Sequence, residues 1–97
     1  MYAVIFRATI KALDEEYQDT AEKLRNLALD NYGCLEFCAY TEQDQEVAIS
    51  YWQSEEQIRA WKQDPLHLCA QQTGREKWYK SYQVQVVEVV RQYTSKA

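Results

Sequence analysis

Glycine and proline are scarce: the 97 residues hold two glycines and one proline. Short connections are therefore expected, and no material exists for a glycine-rich phosphate loop. Basic charge is short as well. Eleven Lys and Arg stand against 15 Asp and Glu, a net charge of -4, which speaks against the cationic face of a nucleic-acid binder and against a polybasic membrane anchor. No apolar run approaches the ~20 residues of a membrane span. The opening stretch from Met1 to Arg7 lacks the basic region and long apolar segment of a signal peptide. The three cysteines match no zinc spacing. On one strand face Cys34 and Cys38 would lie about 13 Å apart, beyond disulfide reach, and Cys69 is left over. They read as small hydrophobes in a reducing compartment, which makes a cytoplasmic protein the expectation. Paired-carboxylate, HxH and CxxC motifs are missing, so no metal site and no glycosidase chemistry is expected.

What the chain does have is aromatic residues, eight Tyr and three Trp. With 46% hydrophobic and 27% charged residues, it has the composition of a folded domain rather than a disordered segment. Residues 1–97 make one domain. A chain this short buries only roughly 60–65% of the surface its unfolded form exposes, so association with a second copy would add stability.

The patterning predicts six main elements. Residues 2–10 alternate as a strand, with Tyr2, Val4, Phe6, Ala8 and Ile10 on one face and Ala3, Ile5, Arg7 and Thr9 on the other. From Leu13 to Asp30 the spacing becomes helical, with Tyr17, Ala21, Leu24 and Ala28 as the apolar stripe and Gly33 as a left-handed stop. Residues 34–42 and 46–53 are strands joined by a hairpin turn at Gln43-Asp44-Gln45. Ser54 to Gln57 has the form of a capping box. The helix that follows carries Ile58 and Trp61, and Asp64-Pro65 restarts it with Leu66, Cys69 and Ala70 as the inward stripe. Arg75 to Ser81 reads as either a further helical turn or a connector, and residues 82–93 as the last strand. The order is β-α-β-β-α-β with a broken second helix. It predicts an α+β, ferredoxin-like fold with both helices on one face of a four-stranded antiparallel sheet. The first and last strands are apolar on both faces, so a second copy packed sheet to sheet is the expected cover.

The run Ile49-Ser50-Tyr51-Trp52-Gln53-Ser54-Glu55-Glu56, followed by Ile58, Trp61 and Asp64-Pro65-Leu66-His67, resembles the antibiotic biosynthesis monooxygenase family. Val4-Ile5-Phe6-Arg7 and Gly33-Cys34-Leu35 fit the same pattern, and the resemblance spans about residues 2–93. It implies a dimeric α+β barrel with a pocket between sheet and helices in each subunit. It further implies oxygenation of an electron-rich aromatic, quinol- or anthrone-like, by dioxygen with no cofactor. In such chemistry the substrate anion supplies the electrons, and the protein binds a flat ring, lowers the cost of its proton and excludes water.

Within that frame His67, the only histidine, is the candidate base, and Tyr51 is the second catalytic candidate. Trp61, Trp52 and Phe6 are candidates to contact the ring, and Arg75 to hold an anionic oxygen. For each a structural role stands beside the functional one: core packing for Trp52 and Trp61, a hydrogen-bonded or solvent-facing His67, a surface ion pair of Arg75 with Glu76. Arg7 falls on the face assigned to the dimer. Haem-degrading relatives are implied to use an Asn on the first strand and a His ten residues beyond the helical Trp. Phe6 and Gln71 stand at those positions, so the haem reading loses its iron ligand. A non-catalytic dimeric module that binds a small hydrophobic molecule, in a stress-related role, is the alternative function, and a purely structural dimer without a cavity is a third.

Overall fold

Strand and helix follow one another as the patterning predicts. The computed structural model describes residues 1–96. Its elements are β1 (Tyr2–Ile10), α1 (Glu15–Asn31), β2 (Glu36–Glu42), β3 (Gln45–Trp52), α2 (Glu55–Lys62), α3 (Pro65–Thr73), one π-helical turn (Gly74–Trp78) and β4 (Tyr79–Glu88). The strands form one antiparallel sheet in the order β2-β3-β1-β4. With the helices packed on a single face, this is the α+β ferredoxin-like fold. Among the described residues no helix is long and apolar enough to cross a membrane.

Side-chain caps start each α-helix: Ser54 and Asp64 cap as the sequence predicts, whereas the first helix begins at Glu15 rather than Leu13, with Asp14 as its cap. Asp14 Oδ1 accepts from the Tyr17 N–H at 2.8 Å, Ser54 Oγ from the Gln57 N–H at 3.3 Å, and Asp64 Oδ1 from the Leu66 N–H at 2.9 Å. Each satisfies a backbone donor that the first helical turn leaves unpaired. The capping box closes differently from expectation: Gln57 Oε1 accepts from the Gln53 N–H, one residue upstream of the cap. Past the end of α1, Gly33 has φ +81°, and an added Cβ would lie 2.5 Å from the Gln57 side chain. The positive φ favours glycine there, and any Cβ would displace the Gln57 amide that holds the Gln53 N–H.

Alternation divides the strands between two faces. The helices cover Val4, Phe6, Phe37, Ala48, Ser50 and Val84, and Trp52 beneath them is fully buried. The main core gathers at one end of this face, where Val4, Ala28, Cys34, Trp52, Ile58 and Trp61 pack together. On the opposite face lie Ala3, Ile5, Val47, Ile49 and Tyr51, in register across β1 and β3; Ala3 is buried and the other four are half-buried. Arg7 lies on this open face as expected and donates to Gln83 Oε1 at 3.4 Å.

Two expectations about the second half are corrected. The last strand covers Tyr79–Glu88, not residues 82–93. It stops because its partner runs out: Glu88 pairs with Tyr2, and beyond it only the Val89 N–H reaches the Met1 carbonyl. Of the expected inward stripe of α3 only Ala70 faces inward; Cys69 is exposed and Leu66 does not line the covered face. Instead His67, Ala70, Gln71 and Gly74 face the sheet, at positions i, i+3, i+4 and i+7.

Candidate functional site

Beside the aromatic core the covered face holds a cavity of about 170 Å³. Its floor is the sheet, through Val4, Phe6, Ala39, Ala48 and Val84. One wall is α1, through Tyr17, Thr20, Ala21 and Leu24, which are the predicted apolar stripe of that helix and a neighbour. The other wall is α3 with its His67, Ala70, Gln71 and Gly74 row. Most of this lining is apolar, and the side chains able to exchange protons stand at its two ends.

At one end, His67 sets its ring edge-on to Trp61, with centroids 4.4 Å apart and an interplanar angle of 84°. Trp61 in turn packs against Trp52 at 5.3 Å and Phe37 at 6.0 Å, and its Nε1–H donates to the Leu24 carbonyl at 3.2 Å. His67 Nδ1 is buried with no hydrogen-bond partner in the protein. Burial lowers the His67 pKa from its ordinary 6.5, and Lys62 beside it pushes the same way while Asp64 opposes. The ring is therefore mostly neutral at pH 7, and a neutral imidazole keeps one of its two nitrogens as an acceptor. Asp64 fixes the position of this end. It caps α3 and its Oδ2 also accepts from the Tyr32 O–H at 2.7 Å, which ties the start of α3 to the end of α1.

At the other end Glu46, only 5% exposed, accepts from the Tyr79 O–H at 2.9 Å through Oε2. Burial raises the Glu46 pKa, and the Tyr79 hydrogen bond opposes that rise. The Tyr79 phenol is likewise pushed up, by burial first and then by the Glu46 charge. Patterning alone puts Tyr79 on the face opposite Tyr82. A bulge reverses this: Thr9 pairs with Ser81 but Ile10 pairs with Tyr79, so Lys80 is passed over and Tyr79 turns to the covered face. Gly74 makes room for it. A Cβ on Gly74 would lie 3.0 Å from two atoms of the Tyr79 ring.

The cavity collects only part of the expected set. His67, Trp61 and Phe6 line it. Trp52 does not: it is fully buried behind Trp61, and its Nε1–H donates to Ser50 Oγ at 2.8 Å. Tyr51 lies on the opposite sheet face, in register with Ala3 of β1, and forms no part of the lining. Arg75 is exposed and does not line the cavity, nor does it pair with Glu76; its Nη1–H donates to the Tyr82 hydroxyl at 3.3 Å, and Tyr82 is a lining residue. Phe6, Trp61 and Gln71, at the positions that haem-degrading relatives are implied to use, all reach the cavity, where Gln71 brings an amide rather than an imidazole. Glu46 and Tyr79 were missed. A polar residue following a turn reads as solvated, and the bulge leaves no signal in the alternation.

Comparison with known proteins bears on this geometry. The pattern describing the antibiotic biosynthesis monooxygenase family matches residues 1–73. The uncharacterized protein YqjZ of Bacillus subtilis is 39% identical over 92 residues, covering 94% of this chain and 81% of that protein. Among solved structures, SnoaB, a cofactor-independent oxygenase from Streptomyces nogalater, superposes with a TM-score of 0.79 at 13% identity, covering 97% of each chain. Rv0793 from Mycobacterium tuberculosis superposes at 0.70 with 18% identity, covering 96% of this chain and 98% of its own. At such identities these structures share the fold.

Proposed function

This chain belongs to the antibiotic biosynthesis monooxygenase family, and from that premise we propose that its cavity binds a small electron-rich phenol and promotes its oxygenation by dioxygen without a cofactor. The observation that carries the reading is His67, its imidazole kept mostly neutral by burial and set against an indole at the edge of a cavity of apolar and aromatic side chains. A neutral imidazole lining such a cavity offers a phenol hydroxyl an acceptor.

The chemistry follows from what the residues offer. His67 accepts the phenolic proton on its unprotonated ring nitrogen. Burial disfavours an isolated imidazolium, but the phenolate beside it cancels the charge. The phenolate ring delivers electrons to dioxygen and forms a carbon–oxygen bond. The resulting peroxide anion takes the proton back from His67. Loss of water, with the ring C–H proton leaving alongside hydroxide, gives the quinone. Phenol plus dioxygen thus yields quinone plus water, and His67 ends neutral. The apolar lining keeps bulk water from the anion.

Size narrows the substrate. An apolar cavity of roughly 150 Å³ accommodates benzene, so about 170 Å³ suits one ring, or two with part of the second at the mouth, better than a tricyclic anthrone. The open sheet face, with Ile5, Val47, Ile49 and Tyr51 half-buried only by their own neighbours, supports a homodimer formed through it. The three cysteines are all free thiols, in keeping with a cytoplasmic protein.

The test is dioxygen uptake by metal-stripped protein offered single-ring and naphthalene-type phenols and quinols, with ¹⁸O₂ as label. The expected result is uptake above the autoxidation rate and one labelled oxygen in the quinone. Ligand-dependent stabilisation of the fold without any uptake would instead favour the non-catalytic binding module.

A further inference from the structure

We infer that Glu46, held by Tyr79, is a second ligand-anchoring site, at the opposite end of the cavity from His67, and that it selects rings carrying a hydrogen-bond donor at each end, as in 1,4-dihydroxyarenes. This rests on the reading that a phenol docks at His67, and it adds a specificity element at a place that reading leaves unused.

The two sites are separated along the floor. Glu46 and Ser50 both face the cavity from β3, four residues or about 13 Å apart at strand rise. Trp61, which carries His67 on its edge, packs against Trp52, two residues beyond Ser50. Glu46 sits at the other end, paired in register with Ala8 and bonded to Tyr79. Along the wall, His67 and Gly74 are seven residues apart on the inward row, about 10 Å of helix, and Gly74 packs on the Tyr79 ring. One ring lying between sheet and α3 spans these ends with a substituent directed at each.

The hydrogen-bond inventory determines which substituents fit. The Tyr79 O–H is committed to Glu46 Oε2, and Oε1 has no donor among the described residues. An ionised carboxylate only accepts. The neutral His67 ring at the other end keeps one nitrogen as an acceptor as well. Both ends of the cavity therefore present acceptors, and a ligand with O–H or N–H at both ends satisfies both. A ring with one hydroxyl leaves Oε1 unpaired. A quinone presents lone pairs to lone pairs, so the selection also favours release of an oxidised product. The upward push that burial gives the Glu46 carboxyl fits this inventory, because a ligand hydroxyl supplies the solvation that the anion lacks.

The experiment is titration of ¹⁵N-labelled protein at pH 8 under argon with hydroquinone, phenol and 4-methoxyphenol, followed by amide and indole shifts. Hydroquinone is expected to bind about tenfold more tightly than phenol, the worth of one added hydrogen bond. In Glu46→Gln the Tyr79 O–H holds the amide oxygen and the amide N–H₂ turns to the ligand. The hydroquinone preference is then expected to fall to near unity, while 4-methoxyphenol, an acceptor at its far end, gains several-fold over its wild-type affinity. That gain also shows that the variant is folded. Equal binding of hydroquinone and phenol by the wild type, an unchanged ratio in Glu46→Gln, or binding of neither ligand overturns the assignment. Because the readout is binding without oxygen, it fails separately from the oxygenase reading. Preference without oxygen uptake removes the chemistry and keeps the site, whereas uptake without preference removes the Glu46 site alone.

Discussion

The two faces of the sheet are built from the same strands, residue by alternate residue, yet they differ in what they leave unsatisfied. The covered face buries Trp52 completely and encloses polar groups whose hydrogen-bonding capacity is only partly used, His67 Nδ1 and Glu46 among them. The open face is flat, apolar at its centre around Ile5 and Ile49, and free of buried polar atoms lacking partners among the described residues. Partly satisfied polar groups in an apolar cavity suit a small polar-tipped ligand. An uncovered apolar strand face suits another surface of its own kind. The lesson is that apolar content alone does not separate a binding site from an interface; the placement of unpaired polar atoms does.

The sharpest way to break this contrast is to empty the covered core. Trp52→Ala removes the largest fully buried side chain and is expected to cost about 3–5 kcal/mol, read as a fall in urea midpoint with little change in slope. An equal loss from Tyr51→Ala, on the other face, would erase the asymmetry in a monomer. Next comes the open face. Ile49 pairs with Ile5 on one side and Cys38 on the other, so Ile49→Glu is expected to leave the subunit folded and shift sedimentation equilibrium to monomer. A wild type that is monomeric at micromolar concentration would remove the partner from the account.

Smaller effects probe the cavity ends. Gly74→Ala places a methyl 3.0 Å from the Tyr79 ring and is expected to cost about 1–3 kcal/mol, in thermal unfolding, with a weakened Tyr79–Glu46 bond. The smallest effect concerns pH. Glu46 has a raised pKa in the folded protein, so its contribution favours folding below the ordinary carboxyl value and is lost as pH rises through the raised one. Glu46→Gln is therefore expected to gain on the wild type in melting temperature as pH rises from 4 to 8. A constant difference across that range would show that burial does not strain the carboxylate.

Much of the fold is legible in the sequence because it depends on local signals. Alternation delimits β1 correctly, Gly33 ends α1, and Asp64-Pro65 restarts the second helical segment. The site is less legible, for three physical reasons. The row His67, Ala70, Gln71 and Gly74 lines a cavity rather than core, so the apolar positions that usually phase a helix point elsewhere. Tyr79 reaches the covered face through a bulge at Lys80 that depends on pairing with β1. Tyr51 and Trp52 are neighbours with opposite fates, and only knowing which face the helices take distinguishes them.

The most direct test of the central claim, that the chemistry belongs to the covered face and is carried by His67, is steady-state dioxygen uptake with a quinol by His67→Ala and Tyr51→Phe side by side. The account predicts a loss of about 10²–10⁴-fold in His67→Ala, the usual worth of a general base, and near wild-type turnover in Tyr51→Phe. In the wild type the acidic limb of the rate profile is expected to have its midpoint below pH 6.5, the direction in which burial moves His67. Turnover retained in His67→Ala and lost in Tyr51→Phe would contradict the account and move the chemistry to the open face.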